Sequence, residues 1–236
     1  MPHSSSKIQQ EVIAELPLEK PLEQLLDMAP EPLAEPSNKR GLARQQKFLE
    51  TAETLFLTQG YASTSVNQVV KIAGGSLVTL YRMFGNKLGL FEAVFHKKTL
   101  TFFNELEEGL VWSDDIERSL YLFGKHMQSV ILSPDGVAIY RLVLQENNED
   151  QKEIQQIYYK YGPQVGIKQL ADYLDSQVQA KKIVLLDSKV AAAQFMEMVK
   201  GPFVNRLCFG ESISEAELEL ALKQGVQIFL NGLVVR

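Results

Sequence analysis

The chain has one cysteine, Cys208, and three histidines among its 236 residues. A single cysteine excludes an internal disulfide, and no Cys, His or carboxylate cluster has the spacing of a zinc site. We therefore expect structural or solvated roles for His96 and His126, and neither a metal nor a cofactor. The sequence also lacks a secretory leader and any apolar run near the roughly 18 residues that span a membrane. These absences favour a chain that works in a reducing cytoplasm, with no membrane partner.

Acidic side chains outnumber basic ones overall, and the formal net charge is −5. Positive charge is concentrated in residues 37–98, which hold nine basic and three acidic side chains, whereas residues 1–36 hold two basic and seven acidic ones. Attraction to the phosphates of DNA needs a local basic patch and not a basic chain. The charge distribution therefore allows DNA binding by one segment.

Residues 1–39 are predicted to form an acidic, proline-rich tail. Six of the nine prolines fall in it. Prolines limit any helix there to a few turns, which is marginal in isolation. Two interpretations stay open: a disordered acidic arm, or an extra helix docked on the rest of the protein.

From Arg40 onward the apolar residues repeat at helical spacing, and no alternating pattern typical of strands occurs. We therefore predict an all-α protein with a DNA-binding head at 40–98 and a larger helical-bundle body at 99–236. In the body we expect a break or kink at Gly162-Pro163 and another at Gly201-Pro202. The last helix is predicted to begin at Ser214, where Glu217 completes a capping box.

The first helix of the head is predicted to end at Gly60, and Ser65 is predicted to cap the next one. Gly74-Gly75 separates this short helix from a second one, in which Val78 should be exposed. This is the arrangement of a helix-turn-helix spanning residues 40–86. The second helix, predicted at 77–84 after the cap Ser76, would enter the major groove by its amino-terminal end. Tyr81 would contact phosphate or pack beneath the helix, and Arg82 would bind DNA or pair within the protein. Lys87 opens a helix, where a cation is unfavourable unless a phosphate lies nearby. The predicted DNA-binding set is Thr64, Ser65, Ser76, Leu77, Val78, Thr79, Tyr81, Arg82 and Lys87.

The head resembles the DNA-binding domain of the TetR family. The resemblance rests on residues 60–66 (GYASTSV), 73–76 (AGGS), 79–87 (TLYRMFGNK) and 90–91 (LF). The chain departs from the family pattern at Gly75, where valine is usual, and at Leu77 and Val78, where polar residues and glycine are common. These departures make the recognition helix unusually apolar, which suits contacts with thymine methyl groups.

The body resembles the AefR-like class of TetR effector domains, at residues 141–143, 158–163, 191–195 and 229–232. The resemblance implies dimerisation and the binding of a small molecule. We predict a dimer interface on the last two helices, at Phe195, Val199, Phe203, Leu218, Leu222, Val226 and Phe229. An aromatic and methionine-rich set would line a ligand cavity or form ordinary core: Phe123, Met127, Tyr140, Tyr158, Phe195 and Met198. The predicted effector is hydrophobic and neutral or cationic, because no basic cluster is evident among the candidate lining residues. Glu146, Glu149 and Asp150 would either favour a cation or be exposed acids of a loop.

These observations favour a homodimeric transcription regulator, and the resemblance implies a repressor. It would bind palindromic double-stranded DNA and leave it when a small hydrophobic effector binds. One alternative is a helical interaction module whose acidic tail recruits a protein partner. An enzyme is disfavoured because the sequence shows no convincing nucleophile, metal set or phosphate-binding loop.

Overall fold

The computed structural model describes residues 39–109, 112–147 and 149–233, and every regular element in these ranges is an α-helix. The all-α prediction is therefore confirmed. Residues 1–38 lie outside the described residues, and with them the predictions for the tail and its partner. In chain order the helices are α1 (Lys39–Ser63), α2 (Val66–Ala73), α3 (Leu77–Phe84), α4 (Lys87–Gly109), α5 (Ile116–Ile131), α6 (Pro134–Gln145), α7 (Gln151–Tyr161), α8 (Pro163–Gln179), α9 (Ser188–Cys208) and α10 (Glu215–Leu233).

Helices α1 to α4 enclose a small apolar core of their own. Phe48, Val69, Leu80 and Leu90, one from each helix, are completely buried. The regular part of α1 stops at Gly60, whose φ of 83° lies in the left-handed region that favours glycine. The predicted helix end at Gly60 is thus confirmed, and the chain turns there toward α2.

The core of the body lies where α5, α8, α9 and α10 meet. Its buried residues include Leu120, Phe123, Leu170, Leu174, Phe195, Val199, Leu222 and Val226. Helices α5 and α10 approach closely at Gly124, where an added Cβ would lie 2.5 Å from Leu222 Cδ1. The close crossing of α5 and α10 therefore requires glycine at position 124.

One predicted break is observed and the other is absent. Gly162 separates α7 from α8, with Pro163 in the first turn of α8. Helix α9, in contrast, continues through Pro202 to Cys208, so the helix does not break at Gly201-Pro202, and a kink there stays a prediction. Val199 and Phe203 are buried on either side of the proline, and this shared packing keeps the two halves in one helix.

Helix α4 joins the head to the body without interruption, because it begins at Lys87 beside α3 and continues past residue 98 to Gly109. No helix among the described residues is both long and apolar enough to cross a membrane. Because α4 is continuous from Lys87 to Gly109, any movement of its second half would be transmitted to the helix-turn-helix.

Candidate nucleic-acid interface and ligand cavity

The turn between α2 and α3 is built from two glycines. Gly74 and Gly75 have φ of 74° and 104°, angles that side chains rarely tolerate. A Cβ on Gly75 would lie 3.0 Å from the Phe48 ring. Arg44 closes the other side of the turn by donating a 2.9 Å hydrogen bond to the Ala73 carbonyl. Backbone freedom and close approach to α1 both require glycine at this turn.

Serine caps fix the start of both short helices. The Ser65 hydroxyl accepts from Gln68 N at 3.2 Å, and the Ser76 hydroxyl accepts from Thr79 N at 3.1 Å. Both caps were predicted. The Gln68 side chain does not return to Ser65, because it pairs with Gln59 on α1. The remaining amide groups of the first turn of α3 lie beside exposed Ser76, where they favour an anion such as phosphate.

The predicted recognition helix presents an apolar and basic face to solvent. Val78 is 77% exposed and Tyr81 is 46% exposed, and Arg82 is also exposed. Leu80 and Phe84 are buried on the opposite face and hold the helix on the core. The expectation that Val78 is exposed is confirmed. Leu77 and Thr79 are half-buried, so the accessible part of the face is centred on Val78.

Thr64 differs from the rest of the predicted DNA-binding set, because its side chain is only 2% exposed. Its hydroxyl donates to the Gly60 carbonyl at 2.8 Å. The side chain thereby secures the turn after α1 and has almost no surface to offer DNA. We omit Thr64 from the proposed interface for this reason.

Lys87 is held against the end of α1. Its Nζ lies 4.2 Å from the centre of the Tyr61 ring and donates to the Ala62 carbonyl at 3.2 Å. Burial lowers the pKa of Lys87, and the charges of Glu146 and Asp150 partly offset that effect. These contacts explain how a lysine is tolerated at a helix start; its contact with DNA stays a prediction.

The acidic residues after α6 differ from one another in role. Glu149 is exposed, as one of the two interpretations expected, but Glu146 is buried and accepts from Ala62 N at 3.2 Å. Asp150 accepts from the Tyr61 hydroxyl at 2.6 Å. The α6–α7 loop is therefore fastened to the head at the residues that Lys87 contacts.

A cavity of about 120 Å³ lies in the body beside the second half of α4. Two of the predicted lining residues, Met127 and Tyr158, do line it. The others do not: Phe123 and Phe195 are fully buried in the core, Tyr140 packs edge-on to Tyr158 outside the lining, and Met198 lies near Gly225. The lining that the sequence did not indicate comes chiefly from α4, at Phe95, Lys98, Thr99, Phe102 and Phe103.

Two basic residues that the sequence did not place at the cavity, Lys98 and Lys200, also line it. Lys98 pairs with Glu53 of α1 at 2.6 Å and with Asp135 of α6 at 2.8 Å. Burial would lower the pKa of Lys98, but the hydrogen bonds that Lys98 donates to Asp135 and Glu53 more than offset this effect and raise the pKa. One ion-paired residue therefore joins the cavity wall to the first helix of the head.

The residues predicted for the dimer interface are interior residues of one chain. Phe195, Val199, Phe203, Leu222, Val226 and Phe229 are buried, and Leu218 is half-buried. Both apolar stripes pack on the core of the same chain and leave little surface there for a partner. Which faces of the last two helices form the dimer interface stays a prediction. The exposed apolar residues of this region are instead Val190 on α9, Phe209 at its end, and Leu220 and Ile228 on α10.

The histidines and the cysteine form no metal site, since no cluster of three or more His, Cys, Asp or Glu side chains occurs in the ranges that the structure describes. The rings of His96 and His126 pack on Tyr161 and Phe102, each at 4.7 Å between centres. Their observed role is packing.

Comparison with known proteins gives matches over most of the chain. The family model of bacterial regulatory proteins of the tetR family matches residues 48–94, and the AefR-like transcriptional repressor C-terminal domain matches residues 118–232. The uncharacterised HTH-type transcriptional regulator YvkB of Bacillus subtilis is 25% identical over 203 residues, 84% of this chain and 97% of its own length. A solved TetR-family regulator from Mesorhizobium loti superposes with a TM-score of 0.74 at 22% identity, covering 84% of this chain and all of that one. The flavonoid-responsive regulator FrrA gives a TM-score of 0.70 at 25% identity, covering 82% of this chain and 98% of its own.

Proposed function

We propose that the chain, which belongs to the TetR family of DNA-binding transcription regulators, is a homodimeric repressor. It binds a palindromic operator and leaves this operator when a hydrophobic small molecule binds. Such a regulator acts where bacterial DNA lies, in the cytoplasm. The observation that carries the proposal is the course of α4, which starts at the helix-turn-helix and then forms a wall of the apolar cavity.

In the proposed complex the first turn of α3 lies in the major groove. Val78 and the half-buried Leu77 would contact base edges, where thymine methyl groups suit apolar side chains. Ser65, Ser76, Thr79, Tyr81 and Lys87 would contact the phosphates, and Arg82 would bind either a base or a phosphate. Phosphate contacts fix the position of the head and base contacts select the sequence.

The proposed dimer interface lies on α9 and α10, the two helices that the sequence indicated. It uses the faces of these helices that point away from the predicted residues. Leu220 and Ile228 are 67% and 54% exposed and lie eight residues apart on α10, so they share one face of the helix. Val190 gives α9 a comparable exposed apolar position. Two helices from each subunit would then form a four-helix interface around a two-fold axis.

Ligand binding would act through the spacing of the two heads. A dimer reads half-sites about 34 Å apart, and a ligand that favours another arrangement lowers operator affinity by linkage. Coupling of this kind is typically about 1–3 kcal/mol. That FrrA is described as flavonoid-responsive supports an aromatic effector for this chain.

Fluorescence anisotropy with the full chain and duplexes from its own upstream DNA tests the DNA-binding part of the proposal. We expect Arg82→Ala to weaken binding to the preferred duplex at least fivefold, as expected for loss of one specific contact. Lys168→Ala is the matched control, because it also removes one exposed positive charge, but on α8. Equal losses in the two variants, or no duplex preferred over random DNA, would contradict the proposed interface.

A further inference from the structure

The charged groups around the cavity are already neutralised within the protein. Lys98 holds two carboxylates, from Glu53 and Asp135, and Lys200 is ion-paired with Glu197. An anionic ligand would have to displace one of these carboxylates, and a cationic ligand would meet both lysines. Removing either kind of ion from water costs free energy unless a new partner repays it.

The uncharged polar groups of the lining are also committed, with one exception. The Thr99 hydroxyl donates to the Phe95 carbonyl at 2.9 Å, and the Ser133 hydroxyl donates to the Val130 carbonyl at 2.7 Å. Tyr158 Oη, in contrast, makes no hydrogen bond to any residue that the structure describes. Tyr158 lines the apolar cavity, and a polar atom without a partner gains from one, so its hydroxyl is the group that a ligand would satisfy.

The protonation state of Tyr158 decides which kind of partner it needs. Burial, with smaller contributions from Tyr140 and Glu197, raises its pKa to about 12. The phenol is therefore neutral at pH 7 and has a proton to donate. An uncharged acceptor oxygen on a ligand can take this hydrogen bond.

The walls of the cavity favour a flat ring. Phe95, Phe102, Phe103 and Tyr158 contribute aromatic surface, and Phe95 and Tyr158 lie with ring centres 5.8 Å apart. Met127 and Met196 add flexible thioethers, which adjust to aromatic edges. The volume of about 120 Å³ is close to the roughly 150 Å³ known to hold a benzene molecule. One substituted aromatic ring would fill it.

We infer that the effector site takes an uncharged, flat aromatic compound with a carbonyl-type acceptor, and that Tyr158 donates the hydrogen bond that selects it. This inference rests on the proposed function, because it names the ligand class of the same cavity. It also narrows the prediction from the sequence, which left neutral and cationic ligands open.

Four probes that share a single aromatic ring test the inference: acetophenone, ethylbenzene, 1-phenylethylamine and 2-phenylpropanoate. Isothermal titration calorimetry would measure their affinities for the full chain without DNA. We expect Tyr158→Phe to weaken acetophenone binding about fivefold, the usual worth of one neutral hydrogen bond, and to leave ethylbenzene binding within twofold. Tyr159→Phe is the matched control, since the neighbouring tyrosine is exposed and does not line the cavity.

Other results would overturn the inference. They are an equal effect of Tyr158→Phe on acetophenone and ethylbenzene, tighter binding of the amine or carboxylate than of the ketone, or no binding by any probe. Operator release by bound probes, measured separately by anisotropy, tests the proposed function by itself. A ketone that binds through Tyr158 without releasing DNA would leave the ligand class intact and refute release by ligand.

Discussion

At the scale of single residues, the head depends on a few side chains with two tasks each. Lys87 stabilises the end of α1 through the Tyr61 ring and the Ala62 carbonyl. It also lies at the start of α4, where a phosphate would complete its environment. Gly75 gives the turn its backbone angle and lets Phe48 approach. Substitution at either position should therefore affect more than one property.

Lys87→Met should weaken binding to specific and random DNA about equally. One phosphate contact is lost, so the slope of log affinity against log salt concentration should fall by about one unit. Filter binding between 50 and 200 mM salt, about the usual range, measures that slope. Lys168→Met is the control for the loss of one positive charge alone. An unchanged slope for Lys87→Met would show that Lys87 does not contact a phosphate.

Gly75→Ala should lower the free energy of unfolding by about 1–3 kcal/mol, because a strained backbone angle is combined with a crowded Cβ. Gly210 has a comparable φ of 86° but nothing within 4 Å of an added Cβ. Gly210→Ala therefore isolates the backbone strain and should cost less. Urea denaturation of both variants checks this, and equal losses would mean that contact with Phe48 is unimportant.

At the scale of helices, the structure is decided by where pairs of helices touch. Helix α4 contributes to the head core, to the junction and to the cavity. The α6–α7 loop is tied to the head at Tyr61 and Ala62, while residues of α6 and α7 also line the cavity. Two routes of packed helices therefore lead from the cavity to the DNA-binding face.

Gly124→Ala tests the crossing of α5 and α10. Its new Cβ would lie 2.5 Å from Leu222 Cδ1 in a fully buried site, and overpacking of this kind costs about 1–3 kcal/mol. Gly225→Ala on α10 is the matched control, since its Cβ would make ordinary contacts at 3.7 Å and beyond. We expect the control to be neutral or stabilised, because alanine favours helix over glycine by about 1 kcal/mol. Thermal melting that ranks the variants the other way would show that the crossing is looser than described.

At the scale of the whole molecule, function requires two heads held at a fixed distance. The exposed apolar positions at Val190, Phe209, Leu220 and Ile228 lie on or next to the last two helices. A second copy of the chain would cover them, and the two-fold axis would then set the spacing of the heads. Oligomeric state and operator affinity should therefore change together.

Ile228→Asp should give folded monomers with weak operator binding, because a carboxylate would be buried at the proposed interface. Leu144→Asp introduces the same charge at a similarly exposed position on α6 and should stay dimeric. Light scattering with circular dichroism distinguishes monomers from unfolded chains. Phe203→Asp should instead unfold the protein, since Phe203 is buried within one subunit; folded Phe203→Asp monomers would favour the interface expected from the sequence.

The sequence by itself determined the features that depend on neighbours along the chain. Helical spacing, the caps at Ser65, Ser76 and Ser214, and the turn at Gly74-Gly75 are short-range properties, and the structure shows them where they were expected. The alternation of buried and exposed positions on α3 is likewise a matter of helical period, so the exposure of Val78 followed from it.

Only the tertiary structure decided which apolar surfaces meet. Helix α9 carries apolar residues on several sides, so its period could not show whether Phe195 and Phe203 face the core or a partner. Lys98 and Phe95 belong to the cavity because α4 is placed against α6 and α7, and Thr64 is buried because its hydroxyl turns back to Gly60. Such contacts join residues far apart in sequence, and they follow from helix crossings and side-chain volumes that local patterns do not encode.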